Sequence, residues 1–255
     1  MGIQTAERVS HQDQSDNYVY QRSILAYLEA AKIVSGDVLE IGTGSGYGVE
    51  VISPKAEKFT TIDKFECDVD LSQYQNVEFK QMNVPPFAGL EDNTYDFVIT
   101  FQVIEHIQDD NAYVSEIHRV LKPGGKLIVT TPNIKATITR NPWHIREYTI
   151  TELKDVLLKK FKAVDTLGVF GNDTVMAYYN ENKKSVAKIT RWDIFNLQYR
   201  LPRWMLQVPY DILNRRNRKK LLAENTDLTA NITTEDYSIS EAKDACFDLF
   251  YIAEK

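Results

Sequence analysis

Residues 38–48, Val-Leu-Glu-Ile-Gly-Thr-Gly-Ser-Gly-Tyr-Gly, constrain this chain more than any other stretch. An apolar run ending in the carboxylate Glu40 feeds directly into a turn with glycine at alternate positions, Gly42, Gly44 and Gly46. Glycine reaches positive φ without steric cost and lets a backbone approach a ligand with no Cβ between them. Such a junction predicts a buried strand that ends in the floor of a cofactor site.

The flanking periodicities place that junction in an alternating series. Tyr20, Ile24, Leu25, Tyr27, Leu28, Ala31 and Val34 have helical spacing across residues 18–35, and Gly36 closes the helix. Strands are predicted at residues 37–41, 58–63, 77–82, 95–101, 126–131 and 161–169, with a last one at 245–253. Helices are predicted at residues 47–52, 111–121 and 151–160. This alternation implies βαβ units and a parallel sheet covered on both faces. Ligands of such sheets bind beyond the carboxyl ends of the strands, near the switch in strand order. Polar residues at strand ends are therefore candidates: Glu40, Asp63, Asn83, Gln102 and Asn133.

A chain of 255 residues accommodates one such domain with an appendage. The two cysteines, Cys67 and Cys246, have no paired spacing and cannot form a zinc site alone, so a reducing cytosol is the default compartment. Residues 1–17 hold no apolar run, and nowhere do 18 consecutive apolar residues occur. Neither an export signal nor a membrane span is expected.

The motifs carry a resemblance when taken in register. Glu40-x-Gly42-x-Gly44-x-Gly46, Asp63 closing the next strand, and Tyr95-Asp96-Phe97-Val98-Ile99 running on to Glu105-His106-Ile107 come first. Arg119-Val120-Leu121-Lys122-Pro123-Gly124-Gly125, Thr131-Pro132-Asn133 and Asn141-Pro142-Trp143-His144-Ile145-Arg146-Glu147-Tyr148 follow in order. Across residues 18–171 and the final strand, the chain resembles a class I S-adenosylmethionine-dependent methyltransferase of the ubiquinone-type O-methyltransferase branch. The resemblance implies an α/β, Rossmann-like sheet of seven strands, the last antiparallel. It divides the chain into an N-terminal helical lid (1–35), a core (36–171), a helical insertion between strands six and seven (172–241) and a final strand (242–255). Dinucleotide-binding turns use G-x-G-x-x-G spacing, which differs from that of Gly42, Gly44 and Gly46.

The resemblance further implies S-adenosylmethionine as cofactor and S-adenosylhomocysteine as product. Gly42, Gly44 and Gly46 would line its methionine end, with Glu40 reaching the ammonium group. Asp63 would take both ribose hydroxyls as a two-point acceptor. Asn83 and Val84 would meet the adenine, while Phe101 and Gln102 would approach from the end of the fourth strand. Tyr20 and Arg22 on the first helix are placed to close over the cofactor's carboxylate, for which arginine suits a bidentate grip. Asn83-Val84-Pro85-Pro86-Phe87 differs from the Asn-Pro-Pro-aromatic motif of nucleobase methyltransferases by an intervening residue and by its place after the third strand, which disfavours DNA as acceptor.

His106 is a candidate general base, because imidazole titrates near neutrality; a structural Glu-His pair is the competing reading. His144 is a second candidate, against a packing role beside Glu147 and Tyr148. Some quinone-pathway relatives hold a divalent metal with a Glu three residues before the Glu-His pair. Here that position is Gln102, a weaker ligand for a hard cation, and no metal is expected.

The insertion departs from the minimal pattern. Across residues 186–222 nine basic residues face two acidic ones, in a chain of net charge −6, and Trp192, Phe195, Tyr199, Trp204 and Tyr210 interleave with them. Pro202 and Pro209 predict breaks. Three readings stay open: helices that cover the acceptor pocket or make a dimer contact, a peripheral contact with anionic membrane, and an RNA surface, which the acidic body disfavours. The expected function is O-methylation of a small molecule, a glycan or a lipid-linked intermediate, in the cytoplasm or at the inner membrane face. A prenylated quinone or lipid acceptor at the membrane surface, or a non-catalytic cofactor-binding module, are the alternatives.

Overall fold

The computed structural model describes residues 9, 12–67 and 69–255. The first eight residues of the expected lid, with residues 10 and 11, lie outside the described residues. The chain runs α1 (Asn17–Ala30), β1 (Asp37–Ile41), α2 (Tyr47–Ile52), β2 (Lys58–Asp63), β3 (Val77–Gln81), β4 (Tyr95–Phe101), α3 (Asp110–Val120), β5 (Leu121–Pro132), α4 (Ile150–Leu158) and β6 (Ala163–Gly171). The helices α5 (Asp173–Thr190), α6 (Leu197–Arg200), α7 (Arg203–Glu224) and α8 (Thr226–Ala230) follow, then β7 (Tyr237–Glu241) and β8 (Asp248–Glu254).

The strands form one eight-stranded sheet in the order β3-β2-β1-β4-β5-β8-β6-β7. β1 pairs in parallel with both β2 and β4, so the strand order reverses across β1 and β4. β8 is antiparallel to both β5 and β6. The eighth strand is β7, which pairs antiparallel with β6 at the sheet edge. It falls within the expected insertion, where the sequence Tyr-Ser-Ile-Ser-Glu is too short and polar to read as a strand. An edge strand buries only part of itself and carries a weak apolar signal.

Alternation along the strands splits the core in two. Leu39 and Ile41 of β1 pack with Tyr113, Ile117 and Leu153 of α3 and α4 on one face. Val38, on the other, packs with Leu25, Val49 and Ile52 of α1 and α2. Each fully buried large side chain contributes about 1.5–3 kcal/mol. β1 is thus fixed on both faces, and its exit into the glycine turn is set by the sheet.

The insertion docks on α1 through polar contacts. Arg215 and Arg218 of α7 reach the fully buried Asp16 at 3.0 and 2.7 Å. Asn17 donates to the carbonyls of Thr229 and Ile232, and Tyr178 of α5 stacks on Tyr18 with ring centres 4.4 Å apart. Pro202 precedes α7, but Pro209 lies inside it and does not break it. No helix among the described residues is long and apolar enough to cross a membrane.

Candidate active site

Beyond the carboxyl ends of the central strands lies a cavity of about 1300 Å³, where the switch in strand order places a ligand. The glycine turn forms its floor, with φ of 94° at Gly42, 56° at Gly44 and 75° at Gly46. The three glycines serve different ends. A Cβ on Gly42 would lie 2.5 Å from Val103 Cγ2, and one on Gly46 would lie 2.2 Å from Val69 Cγ2, so both positions are closed by packing. A Cβ on Gly44 would meet only the Gly42 carbonyl oxygen, at 4.0 Å, and would project into open space. Gly44 leaves a cradle that a side chain would fill, as close approach by a ligand requires.

Asp63 lies on the cavity wall at the end of β2, its Oδ2 accepting from the Gly44 N–H and its Oδ1 from the Phe65 N–H, both at 2.9 Å. Gly42, Asn83, Val84, Phe101 and Gln102 also line the cavity. Gln102 leaves β4 at a φ of 57°, uncommon for a residue with a side chain, and its amide donates to Thr130 Oγ1 at 3.2 Å.

Glu40, Gly46 and Tyr20 stand behind this lining. Glu40 is 1% exposed, with Oε1 accepting from the Tyr27 hydroxyl at 2.8 Å and Oε2 from Thr61 Oγ1 at 2.5 Å. Burial pushes its carboxyl up to about 7, against the opposite pull of the Thr61 and Tyr27 hydrogen bonds. The resemblance has Glu40 reach the cofactor's ammonium group directly or through water; the fold places Tyr27 on the cavity wall with Glu40 bonded to it. Tyr20 packs edge-on against Tyr47. Arg22 does line the cavity, yet its Nε is already paired with Asp248 Oδ2 at 2.9 Å, and its guanidinium lies 5.7 Å from the Tyr18 ring centre. Asp248 opens β8; burial pushes its carboxyl up and the Arg22 charge pulls it down. Asn133 is buried, and its amide holds the Cys246 carbonyl at 2.9 Å.

The two candidate histidines both line the cavity and pack edge to face, with ring centres 5.1 Å apart. His106 Nδ1 lies 3.0 Å from the Trp143 carbonyl oxygen. A carbonyl only accepts, so Nδ1 carries the proton and Nε2 presents the ring's lone pair. His144 is tied differently: Nδ1 donates to Glu147 Oε1 at 2.7 Å, and Nε2 lies 2.8 Å from Asn141 Nδ2. The Asn141 amide orientation follows from its Oδ1 accepting the Trp143 N–H at 3.0 Å. His144 is thus an oriented group whose Nε2 already accepts a hydrogen bond from the Asn141 amide, and Thr137 donates to the other Glu147 oxygen.

Glu105 lies beneath this pair, 1% exposed, with Oε2 accepting from Thr131 at 2.9 Å and Oε1 without a hydrogen-bond partner. Burial raises its carboxyl, while the neighbouring imidazoles act in the other direction. Ligand atoms of Glu105, His106 and His144 lie within 4.8 Å of one another, close enough to meet at one cation. The His106 Nδ1 and both His144 nitrogens are however engaged by protein groups, which makes this a hydrogen-bonded cluster.

Tyr27 and Asp248 are site residues that the sequence does not mark, while Glu147 was expected only as a packing neighbour of His144. Asp248 reaches Arg22 only because β8 inserts beside β5, which no local pattern encodes. Glu147 is visible as an acid three residues after His144, and the irregular segment between them brings its Oε1 to 2.7 Å from His144 Nδ1.

An open α/β sheet with its order reversed at β1 and β4, a glycine cradle after β1 and an acid closing β2 define a Rossmann-like methyl-donor fold. A family described as a methyltransferase domain matches residues 11–163, and the chain belongs to that family, whose cofactor is S-adenosylmethionine. A protein of Mycolicibacterium smegmatis described as a probable S-adenosylmethionine-dependent methyltransferase is 38% identical over 176 residues, covering 65% of this chain and 68% of that one. A ubiquinone biosynthesis O-methyltransferase of Pseudomonas syringae is 28% identical over 120 residues, 45% of this chain and 49% of its own length. A solved S-adenosylmethionine-dependent methyltransferase of Thermotoga maritima, described as a possible histamine N-methyltransferase, shares the fold. Its TM-score is 0.56 at 16% identity, covering 93% of this chain and 92% of that one.

Proposed function

We propose that this protein methylates a hydroxyl group on an acceptor that joins a polar reacting end to an apolar body. The observation that supports this reading is one continuous cavity whose lining includes both the glycine turn and His106 with His144. Pockets for one drug-sized ligand span roughly 300–1000 Å³. About 1300 Å³ gives room for a cofactor and an acceptor together.

Bound S-adenosylmethionine supplies an electrophilic methyl group on a sulfonium. Gly44 leaves room for it, and Asp63 and Asn83 are the polar groups on the wall that would hold its ribose and adenine. His106 receives the acceptor hydroxyl proton at Nε2, with Nδ1–H anchored on the Trp143 carbonyl. His144, with both ring nitrogens held by Glu147 and Asn141, packs edge-on against His106 and fixes the position of that ring. Aligning two reactants is worth up to roughly 7–11 kcal/mol, so positioning carries most of the acceleration. Beyond the histidines the lining includes Tyr178, Tyr179, Leu206 and Tyr210, apolar and aromatic surface that suits a lipid-linked or aromatic body.

Calorimetric titration with S-adenosylhomocysteine tests the cofactor half. Wild type binds it, and Gly44→Val, which fills the cradle, weakens binding by about 100-fold or more, the equivalent of ~3 kcal/mol. Turnover on hydroxyl acceptors with and without an apolar tail tests the other half. Absence of cofactor binding, or turnover confined to amines, would sink the reading.

A further inference from the structure

Helices α5 and α7 form a hairpin. Asn217 of α7 accepts from Ser185 at 2.6 Å and donates to Asn182 at 2.7 Å, both on α5. Ser185 thus lies beside Asn217 while Trp192 lies beside Leu213, so the helices run antiparallel and residues 191–202 form the tip.

That tip is apolar and turned outward. Most of the exposed large hydrophobic side chains among the described residues lie between Ile189 and Leu213. Trp192 is 75% exposed, Ile194 74%, Phe195 63% and Trp204 72%. Scattered apolar residues are normal on a soluble surface, but a contiguous run of this size marks a contact site.

The charge around it is cationic. Lys188, Arg216 and Lys220 are exposed around a second pocket of about 380 Å³, whose apolar wall is Ile189, Trp192 and Leu213. Arg215 and Arg218 turn inward to Asp16, and Lys220 has only a loose contact with Glu224 at 3.8 Å. Lys188 and Arg216 form no ion pair among the described residues.

We propose that this hairpin docks on an anionic lipid bilayer. The aromatic tip enters the interface, and the phosphate of an anionic lipid sits among Lys188, Arg216 and Lys220. Tryptophan suits the membrane-water boundary, and Lys and Arg beside an apolar face add attraction to anionic headgroups. A second copy is the weaker occupant, because a two-fold contact through this patch sets its cations against themselves. A nucleic acid would face the acidic remainder of the chain and leave the apolar tip without a role. Ile189, Trp192 and Leu213 line both this pocket and the main cavity, so the docked surface adjoins the acceptor end. An acceptor with an apolar body would then enter from the bilayer. The docking itself does not rest on the acceptor reading.

The test is co-sedimentation of the whole protein with vesicles of phosphatidylcholine, alone or mixed with phosphatidylglycerol, at low and high salt. Binding is expected to be at least about tenfold stronger to the anionic vesicles and to weaken as salt screens the charges. Lys188→Glu with Arg216→Glu should reduce binding by about tenfold or more, and Ile194→Ser with Trp204→Ser should reduce it at both salt concentrations. All four positions are exposed, and S-adenosylhomocysteine affinity of the same preparations should stay at the wild-type value. That measurement separates failed docking from a failed cofactor site. Equal binding to both vesicle types, or none, overturns the proposal. So does a dimer in sedimentation velocity that Trp204→Ser dissolves, which would assign the patch to a second copy, or competition by inorganic phosphate at matched ionic strength without vesicle binding, which would assign the pocket to a free anion.

Discussion

The two walls of the cavity are built by opposite means. The wall proposed for the cofactor is founded on backbone, a turn whose glycines take φ of 56–94°, fixed by β1 below and tied by Asp63 to the end of β2, with the Asp63 and Asn83 side chains beside it. The acceptor wall is assembled from side chains of segments far apart in the chain, stitched by Thr139 and Arg140 to Gln198 at 2.7 Å each and by Trp143 to Asp211 at 3.0 Å. Donor recognition through backbone conformation leaves little freedom to vary. An acceptor wall of side chains on a loop and a hairpin can change without disturbing the sheet, so shared fold carries the donor but not the acceptor.

The strongest way to break this division is His106→Ala. If His106 belongs to the acceptor wall and takes the acceptor proton, kcat falls by about 10²- to 10⁴-fold. S-adenosylhomocysteine affinity stays unchanged. His144→Ala, which removes an orienting group, should cost about tenfold less than that. Equal losses of cofactor affinity and turnover in His106→Ala would show that the walls are not separable.

Glu40→Gln probes the buried support of the cofactor wall. With its carboxyl pushed up to about 7 in the fold, against an ordinary value of 4.5, the folded chain keeps a proton there that the unfolded chain releases. The stability contributed by the protonated group is fully present below the lower value and is lost as pH rises through the higher one. The loss amounts to up to ~3 kcal/mol. Urea unfolding between about pH 5 and 8 should show this decline in wild type and a flatter profile in Glu40→Gln. An unchanged slope would mean that Glu40 is ionised in the fold.

This division also sets what the sequence reveals. β1 and β4 were legible because both faces are covered and their residues form nearly continuous apolar runs, whereas β2 showed as a short β-branched stretch closed by Asp63. The glycine turn was legible because positive φ selects residue type locally. Asp63, Asn83, Val84, Phe101 and Gln102 followed from strand ends and resemblance, and all line the cavity. Glu40 was legible as a motif but not as a buried group, because burial behind Tyr27 depends on how α1 packs. Arg22 was read without Asp248, 226 positions away in sequence, and β7 was missed as a short edge strand. The hairpin's composition was visible, whereas the direction of its apolar tip is a tertiary fact.

The smallest effect gives the finest test of the separation. Gln198 accepts from Thr139 through its side chain and from Arg140 through its backbone carbonyl. Gln198→Ala deletes only the first bond, which at a half-buried site is worth about 1 kcal/mol. The backbone bond keeps the hairpin in place, so the loop bearing Trp143 and His144 loosens without detaching. An acceptor KM raised about fivefold, with kcat and S-adenosylhomocysteine affinity unchanged, is the result expected from a change of that size. Cofactor affinity falling in step with KM would mean that the loop also braces the glycine turn, and the two walls would then have to be treated as one.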